Sequence, residues 1–208
     1  MTMLTRRSLL TSSVAASAVS LLGGSLRAQQ SDKSPGAGND SGPRYCLNTS
    51  TIRGQRLSLE EEIDLAAECG YNGIEPWLRE IEAYRQSGKS LSDLKKRIAD
   101  HGLQVESAIG FAQWIVDDEA QRKAGLEQMK HDMDTLQQIG GIRIAAPPVG
   151  MHSGDSPEVD LFAAADRYRA VLEIGQEIGV TPQVEVWGPS KNLSRLGEAV
   201  FVAVEIVQ

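Results

Sequence analysis

One pattern recurs along the chain from residue 59 onward: a helix with an apolar stripe of 3.6-residue period, then a glycine, then a short apolar run. The helix-ending glycines are Gly70, Gly102, Gly140 and Gly179, and they are spaced 32, 38 and 39 residues apart. This spacing is typical of one βα unit with loops of variable length. Helices and strands that alternate in this way predict parallel strands joined by right-handed crossovers.

The repeat predicts five strands and the helices between them. Ser58 and Glu61 are spaced as a capping box at the start of the first amphipathic helix. Ser156 as N-cap and Pro157 as first helical residue are the predicted start of the fourth copy's helix. The predicted strands are 45–48, 71–75, 103–109, 142–146 and 181–187, and a last helix is predicted over 193–207.

The predicted fold is an α/β barrel that is cut short. The predicted folded part, residues 44–208, has 165 residues, or 33 for each of five βα units. A complete (β/α)8 TIM barrel needs about 250 residues. We therefore expect a TIM barrel truncated to about five βα units, with a five-stranded doubly wound sheet as the structural alternative.

The first 28 residues have the layout of an export signal. Paired arginines at positions 6 and 7 precede a moderately apolar run, residues 9–22, and a cleavage site after Ala28 is plausible. The order TRRSLL at residues 5–10 resembles a twin-arginine signal, which is read by the export machinery rather than acting as an anchor. The alternatives are a Sec signal and an uncleaved amphipathic anchor. The run is too short for a comfortable membrane span.

Three domains follow from this layout. Residues 1–28 are the predicted twin-arginine-type signal peptide, residues 29–43 are a flexible linker of small and polar side chains, and residues 44–208 are the partial barrel. The protein is accordingly expected to be exported to the periplasm.

Charge and cysteine content exclude several classes of protein. The chain has 28 acidic and 21 basic residues, a net charge of −7, and no block of Lys and Arg, which disfavours binding to nucleic acid. Cys46 and Cys69 are too few for a disulfide scaffold and do not have zinc-ligand spacing. No HExxH, GxSxG, Walker or strand-borne GxGxxG motif is present.

Carboxylates stand near the carboxyl ends of the predicted strands, where α/β barrels carry their chemistry. Glu185 lies between two valines, and a carboxylate in such a run is costly to bury without a partner. A divalent cation or an acid/base role would supply that partner, and an ion pair with Arg143 is the structural alternative. Glu75 is a second candidate at the end of its strand, whereas Glu106 is predicted to be structural.

Aromatic side chains follow the same strand ends and predict a small-molecule pocket. They are Trp77, Phe111, Trp114 and Trp187, and the alternative for each is packing in the core at the barrel mouth. His152, in the loop 147–154, is a candidate substrate contact because loops after strands carry function. His101 and His131 lie at or in predicted helices and are expected to be structural.

Four segments, residues 70–75, 114–118, 139–142 and 184–187, resemble the xylose isomerase-like TIM barrels, which include sugar and sugar-phosphate isomerases and epimerases. The resemblance implies that Glu185 is a divalent-metal ligand and also removes a proton. It also implies further ligands, an aspartate, a histidine and a glutamate on strands six to eight, which fall beyond Gln208. The metal is expected to be Mn²⁺, Mg²⁺, Co²⁺ or Zn²⁺.

The expected function is therefore that of a metal-dependent isomerase or epimerase of a sugar or sugar phosphate. It would remove a proton next to a carbonyl and pass through an enediolate. A non-catalytic or degenerate sugar-binding barrel is the alternative. An endonuclease IV-like DNA repair enzyme, from the same superfamily, is disfavoured by the acidic charge balance and the export signal.

Overall fold

The structure is a computed structural model that describes residues 42–188 and 190–205. The predicted signal peptide, almost all of the predicted linker and the end of the predicted last helix lie outside these residues. The strands are β1 (Cys46–Asn48), β2 (Gly73–Glu75), β3 (Gln104–Val105), β4 (Arg143–Ala146) and β5 (Thr181–Val184). The helices are α1 (Leu59–Glu68), α2 (Leu78–Gln86), α3 (Leu91–Asp100), α4 (Glu119–Gln138), α5 (Leu161–Ile178) and α6 (Leu196–Glu205).

The strands are parallel and lie in the order in which they occur in the chain. β1, β2 and β3 form one ladder, and β4 pairs with β5 in a second ladder. A single bridge between Ile109 and Ala145 joins the two ladders. The described residues thus form about five βα units of a TIM barrel without barrel closure, which confirms the predicted fold class.

Local signals explain where several helices begin and end. The predicted capping box is present: the Glu61 backbone N–H donates to Ser58 Oγ, and the Ser58 backbone N–H donates to the Glu61 carboxylate. Helix α5 ends at Gly179, whose φ of 86° is in the left-handed region that glycine tolerates. These contacts satisfy backbone groups that helix ends would otherwise leave unpaired.

The predicted start of the fourth helix is wrong by several residues. Helix α5 begins at Leu161, and its N-cap is Asp160, whose side chain accepts a hydrogen bond from the Ala163 N–H. Ser156 is instead a buried loop residue whose carbonyl accepts from Lys191. Aspartate is as good an N-cap as serine, so residue type alone did not favour Ser156 over Asp160.

Two elements were not predicted. A 3₁₀ helix over Thr49–Gln55 follows β1, and α2 separates Trp77 from α3. Helix α2 carries one buried residue, Ile81, and therefore has no clear apolar stripe in the sequence. Both elements follow strands that end at the candidate site.

The core lies between the sheet and the helices. Alternate strand residues are buried against the helices, including Leu47, Ile74, Val105 and Ile144. Their strand neighbours Asn48, Glu75 and Ala145 are only half-buried, so the polar side chains stand on the opposite face, which is the barrel interior in this fold. None of the helices in the described residues is both long and apolar enough to cross a membrane.

Candidate active site

Glu185 directly follows β5 and is half-buried. Its Oε2 atom is buried and has no hydrogen-bond partner among the described residues. The pKa of Glu185 is raised, first by burial and then by the negative charge of Glu75. A buried carboxylate oxygen without a partner is costly, and such atoms concentrate at functional sites.

The structural alternative for Glu185, an ion pair with Arg143, is not what the structure contains. Nη1 of Arg143 lies 3.5 Å from Oε2 of Glu106. Glu106 also lies 3.7 Å, through Oε1, from Nη2 of Arg44. Glu106 thus has two cationic partners, in agreement with the structural role that the sequence predicted for it.

Glu75 is held in place by Asn48, its register partner on the neighbouring strand. Asn48 Nδ2 donates a hydrogen bond of 2.8 Å to Oε2 of Glu75. Asn48 Oδ1 accepts from Nε1 of Trp77 at 3.3 Å. The structure therefore brings Glu75 and Trp77 together through a residue that the sequence analysis did not single out. Asn48 is a polar residue at the end of the first predicted strand, and this position was the signal that could have identified it.

Trp77 is also fixed through its backbone. Its N–H donates to Oε2 of Glu80 at 3.1 Å and lies 3.2 Å from Oγ1 of Thr49. Thr49 is fully buried, and its hydroxyl donates to the same carboxylate oxygen at 2.6 Å. The first turn of α2 and the start of the 3₁₀ helix are thereby tied to each other beside the end of β2.

Trp77 and Phe111 form an aromatic pair, with ring centroids 5.4 Å apart. The guanidinium of Arg79 lies over the Trp77 ring, and its central carbon is 4.1 Å from the ring centroid. Phe111 is 43% exposed, so this pair presents apolar surface to solvent near the strand ends. Such a surface suits the C–H face of a small polar molecule.

His152 and Trp187 form a second aromatic pair, with ring centroids 5.0 Å apart. His152 is exposed, and its Nδ1 accepts a hydrogen bond of 3.2 Å from the N–H of Gly150. The neutral imidazole then carries its proton on Nε2, which makes that atom a donor. Trp187 is two residues after Glu185 in the sequence, so one member of this pair is a sequence neighbour of the candidate carboxylate.

Trp114 takes the structural alternative. It is fully buried, its ring lies 5.5 Å from that of Tyr168, and its Nε1 donates to the Pro147 carbonyl at 2.9 Å. Tyr168 in turn donates to the Pro182 carbonyl at 2.7 Å. These contacts explain Trp114 through packing alone, and we leave it out of the proposed site.

Negative charge converges on the inner face of β1, β2 and β3. The pKa of Cys46 is raised to about 11, by desolvation first and then by the charges of Glu75 and Glu106. The thiol therefore stays protonated at neutral pH and is not a nucleophile. Within 42–188 and 190–205, no group of three His, Cys, Asp or Glu residues is arranged to hold a metal ion.

A cavity of about 420 Å³ opens elsewhere, between α2 and α4. It shares Phe111 and Arg79 with the surroundings of Trp77, but neither Glu185 nor Glu75 lines it. The candidate site is thus the end of the strands and not this outer groove.

About five parallel βα units, with polar side chains at the carboxyl ends of several strands, are an arrangement typical of a partial (β/α) barrel. The family model described as "Xylose isomerase-like TIM barrel" matches residues 63–206. The chain belongs to this family, as its sequence motifs predicted. A comparison with curated proteins finds no significant match.

Solved structures share the fold at low sequence identity. The IolI protein with a bound zinc atom superposes with a TM-score of 0.69 at 17% identity, over 80% of this chain and 60% of that chain. L-ribulose 3-epimerase gives 0.63 at 19% identity, over 80% and 58%. The apo form of 3-keto-D-glucoside 4-epimerase from E. coli gives 0.59 at 22% identity, over 72% and 60%. This chain therefore spans about three-fifths of the length of these proteins.

Proposed function

We propose that the full-length protein is a metal-dependent isomerase or epimerase that acts on a sugar or sugar phosphate. The observation that carries this proposal is the buried, unpaired Oε2 of Glu185 at the end of β5, beside Glu75. The family supports it, and two proteins of similar structure are L-ribulose 3-epimerase and 3-keto-D-glucoside 4-epimerase.

Glu185 is the proposed base. Its carboxylate takes the proton from the carbon next to the substrate carbonyl, and the electron pair of that C–H bond moves toward the carbonyl oxygen to give an enediolate. If a second acid protonates the same carbon on the opposite face, the product is the epimer. If Glu185 returns its proton to the neighbouring carbon and the hydroxyl proton passes to the other oxygen, the product is the isomer. The raised pKa of Glu185 suits this role because the group must both accept and release a proton.

The other residues bind and orient the sugar. Glu75, held by Asn48, is placed to accept a hydrogen bond from a substrate hydroxyl. The pairs Trp77–Phe111 and His152–Trp187 supply apolar faces, and Nε2 of His152 supplies a donor. Hydrogen-bonding groups together with aromatic faces would select for a small polyhydroxylated molecule.

Glu185 also fits one position in the ligand set of a divalent ion, because its unpaired oxygen is the hard donor that Mn²⁺, Mg²⁺, Co²⁺ or Zn²⁺ accepts. The described residues provide no complete ligand set for such an ion. A bound ion would polarise the substrate carbonyl and stabilise the negative charge that develops on its oxygen.

The proposal is tested by solvent exchange in the full-length protein. Ketohexoses and ketopentoses, including D-fructose and L-ribulose, are incubated in D₂O with the metal-loaded enzyme, and NMR follows loss of the signal of the carbon-bound hydrogen. Glu185→Gln is expected to slow exchange by about 10²–10⁴-fold, the usual contribution of a general base. Glu106→Gln, which removes a carboxylate that two arginines already pair, is the matched control and should retain exchange.

Undiminished exchange and metal content in Glu185→Gln would contradict the proposal. A second candidate, a non-catalytic sugar-binding barrel, is favoured by the two aromatic pairs alone. It predicts that the wild-type protein binds a sugar without exchanging its carbon-bound hydrogens.

We also propose that the protein is exported by the twin-arginine machinery to the periplasm. The support is the sequence of residues 1–28, with the paired arginines and the weakly apolar run. Twin-arginine export carries folded proteins, so a metal could be bound before transport.

A further inference from the structure

Asn192 is a buried polar residue that connects two loops at the candidate site. We name residues 147–160, after β4, loop 4, and residues 185–188 with 190–195, after β5, loop 5. Asn192 in loop 5 is 6% exposed. Its Nδ2 donates to the carbonyls of Met151 at 2.7 Å and Pro157 at 2.9 Å, and its Oδ1 accepts from the Val159 N–H at 3.0 Å.

All three of these hydrogen bonds run from one side chain to the main chain of loop 4. They reach both halves of that loop, so Asn192 connects the two halves of loop 4 to each other and also connects loop 4 to loop 5. This buried position uses both donors and the acceptor of the side-chain amide. It is specific for asparagine, because no other side chain of this size offers two donors and an acceptor. A residue that only filled space would need none of these groups.

Further contacts continue the connection on either side of Asn192. The N–H of Lys191 donates to the His152 carbonyl at 3.0 Å, and its Nζ donates to the Ser156 carbonyl at 2.6 Å. The carbonyl of Leu193 accepts from the Trp187 N–H at 3.1 Å. The backbone of both aromatic residues is therefore held by the immediate neighbours of Asn192.

Leu193 supports this geometry at a cost. It is a non-glycine residue with a φ of 52°, in the left-handed region, and it is almost fully buried. A branched side chain in this conformation persists only where its surroundings enforce it. Loop 5 thus turns sharply just after Asn192, and this turn brings the Leu193 carbonyl back to Trp187.

We propose that Asn192 is a positioning residue that sets the geometry of the His152–Trp187 pair, and through it the substrate specificity of the site. The contact between the rings depends on the two loops, which lie on different βα units, being held together. The role in specificity rests on the proposed function, whereas the role in positioning the rings does not. Asn192 acts only through the two rings and touches no reacting atom.

The first test is spectroscopic and needs no substrate. An imidazole ring in contact with an indole lowers the indole fluorescence, so at one fixed pH the wild-type full-length protein should show weaker Trp187 emission than His152→Asn does. Trp187→Phe and His152→Asn define the part of the signal that comes from this pair. Asn192→Ala should reduce the quenching to the level of His152→Asn.

The second test is binding of D-fructose or L-ribulose to the same variants. Asn192→Ala should weaken binding, or raise KM, by about tenfold, while kcat for solvent exchange changes little, because Glu185 is untouched. Lys191→Met, which removes a single side-chain bond to Ser156, is a milder second variant in case Asn192→Ala does not fold. It should show the same effects at smaller size.

Asn72→Ala is the matched control. Asn72 also makes a bond from its side chain to the main chain, accepting from the Tyr45 N–H at 3.0 Å, but it precedes β2 at the opposite end of the strands. It should leave quenching and sugar affinity unchanged. Quenching that persists in folded Asn192→Ala would overturn the positioning role. Lost quenching with unchanged sugar affinity would overturn the role in specificity, and a wild-type protein that binds no sugar would count against the proposed function alone.

Discussion

Arg143, the first residue of β4, and Glu106, the residue after β3, lie 3.5 Å apart from guanidinium nitrogen to carboxylate oxygen. Because Glu106 has this partner and Arg44 as well, two cations are committed to a single carboxylate. Glu185 keeps a buried oxygen without a hydrogen-bond partner in the described residues. This unequal distribution of cations separates a structural glutamate from a candidate catalytic one.

The effect of Glu185→Gln on stability should depend on metal. Burial and the charge of Glu75 raise the pKa of Glu185, so its ionised form is unfavourable in the folded state. In excess chelator above neutral pH, we expect the variant to melt at or above the wild-type temperature. With Mn²⁺ or Zn²⁺ added, only the wild type should gain stability. Equal stabilisation of both proteins by metal in differential scanning fluorimetry would contradict Glu185 as a ligand.

Glu62 should make stability fall with rising pH. It is 2% exposed, its Oε2 has no hydrogen-bond partner among the described residues, and burial together with the charge of Glu80 raises its pKa to about 7. The unfolded chain loses this proton near pH 4.5, so between these values the folded state binds more protons and the free energy of unfolding falls as pH rises.

Glu62→Gln removes this fall, and we expect it to raise the free energy of unfolding at pH 8 by about 2 kcal/mol. At pH 4 the gain should vanish. Urea unfolding at a series of pH values measures the difference, and Glu68→Gln, on the exposed end of the same helix, is the control. A gain for Glu62→Gln that does not vary with pH would show that the carboxyl group does not titrate in this way.

Substitution of Trp114 should mainly lower the free energy of unfolding, whereas substitution of Phe111 should mainly weaken sugar binding. Trp114→Phe deletes a buried donor to the Pro147 carbonyl and leaves a small cavity, at an expected cost of about 2–3 kcal/mol. Phe111→Leu, at a 43% exposed position, should cost less than about 1 kcal/mol but weaken sugar binding. Urea unfolding and sugar titration of both variants test this, and a binding defect confined to Trp114→Phe would reverse the two assignments.

Export should depend on the paired arginines. Replacing both Arg6 and Arg7 with lysine keeps the positive charge but removes the residues that a twin-arginine receptor would recognise under the proposed export route. We expect the variant to stay in the cytoplasm with its signal peptide attached. Cell fractionation and intact mass show this, and normal export of the double variant would favour the Sec alternative.

The fold was predictable because its signals are local. Each predicted strand follows a helix-ending glycine or opens the folded part, and all five strands lie within the predicted ranges. Predicted ends were less accurate, because residues such as Val186 remain apolar after the ladder has ended. Helix α2 was missed because it buries only Ile81 and so lacks the periodic stripe on which the prediction depended.

The site was predictable in residue type but not in arrangement. Strand-end position was sufficient to single out Glu185 and Glu75, because parallel strands present their carboxyl ends together. It could not distinguish Trp114, which packs in the core, from Trp187, which contacts His152. Asn48 and Asn192 were missed because the hydrogen bonds that give them importance join residues 27 to 41 positions apart in sequence.

One bridge, between Ile109 and Ala145, joins the two ladders of the described sheet, and we expect the sheet to open first at this place. In the described part of the chain, two backbone hydrogen bonds cross this place, from the Ala145 N–H to the Ala108 carbonyl and from the Gly110 N–H to the Ala145 carbonyl, whereas β4 and β5 share four register pairs. A backbone that opens locally does so where its ladder is shortest. Amide hydrogen exchange at Gly110 and Ala145 should therefore be faster than at Ile74 or Ile144, and the interval between these rates would measure how independently the two halves of the sheet unfold.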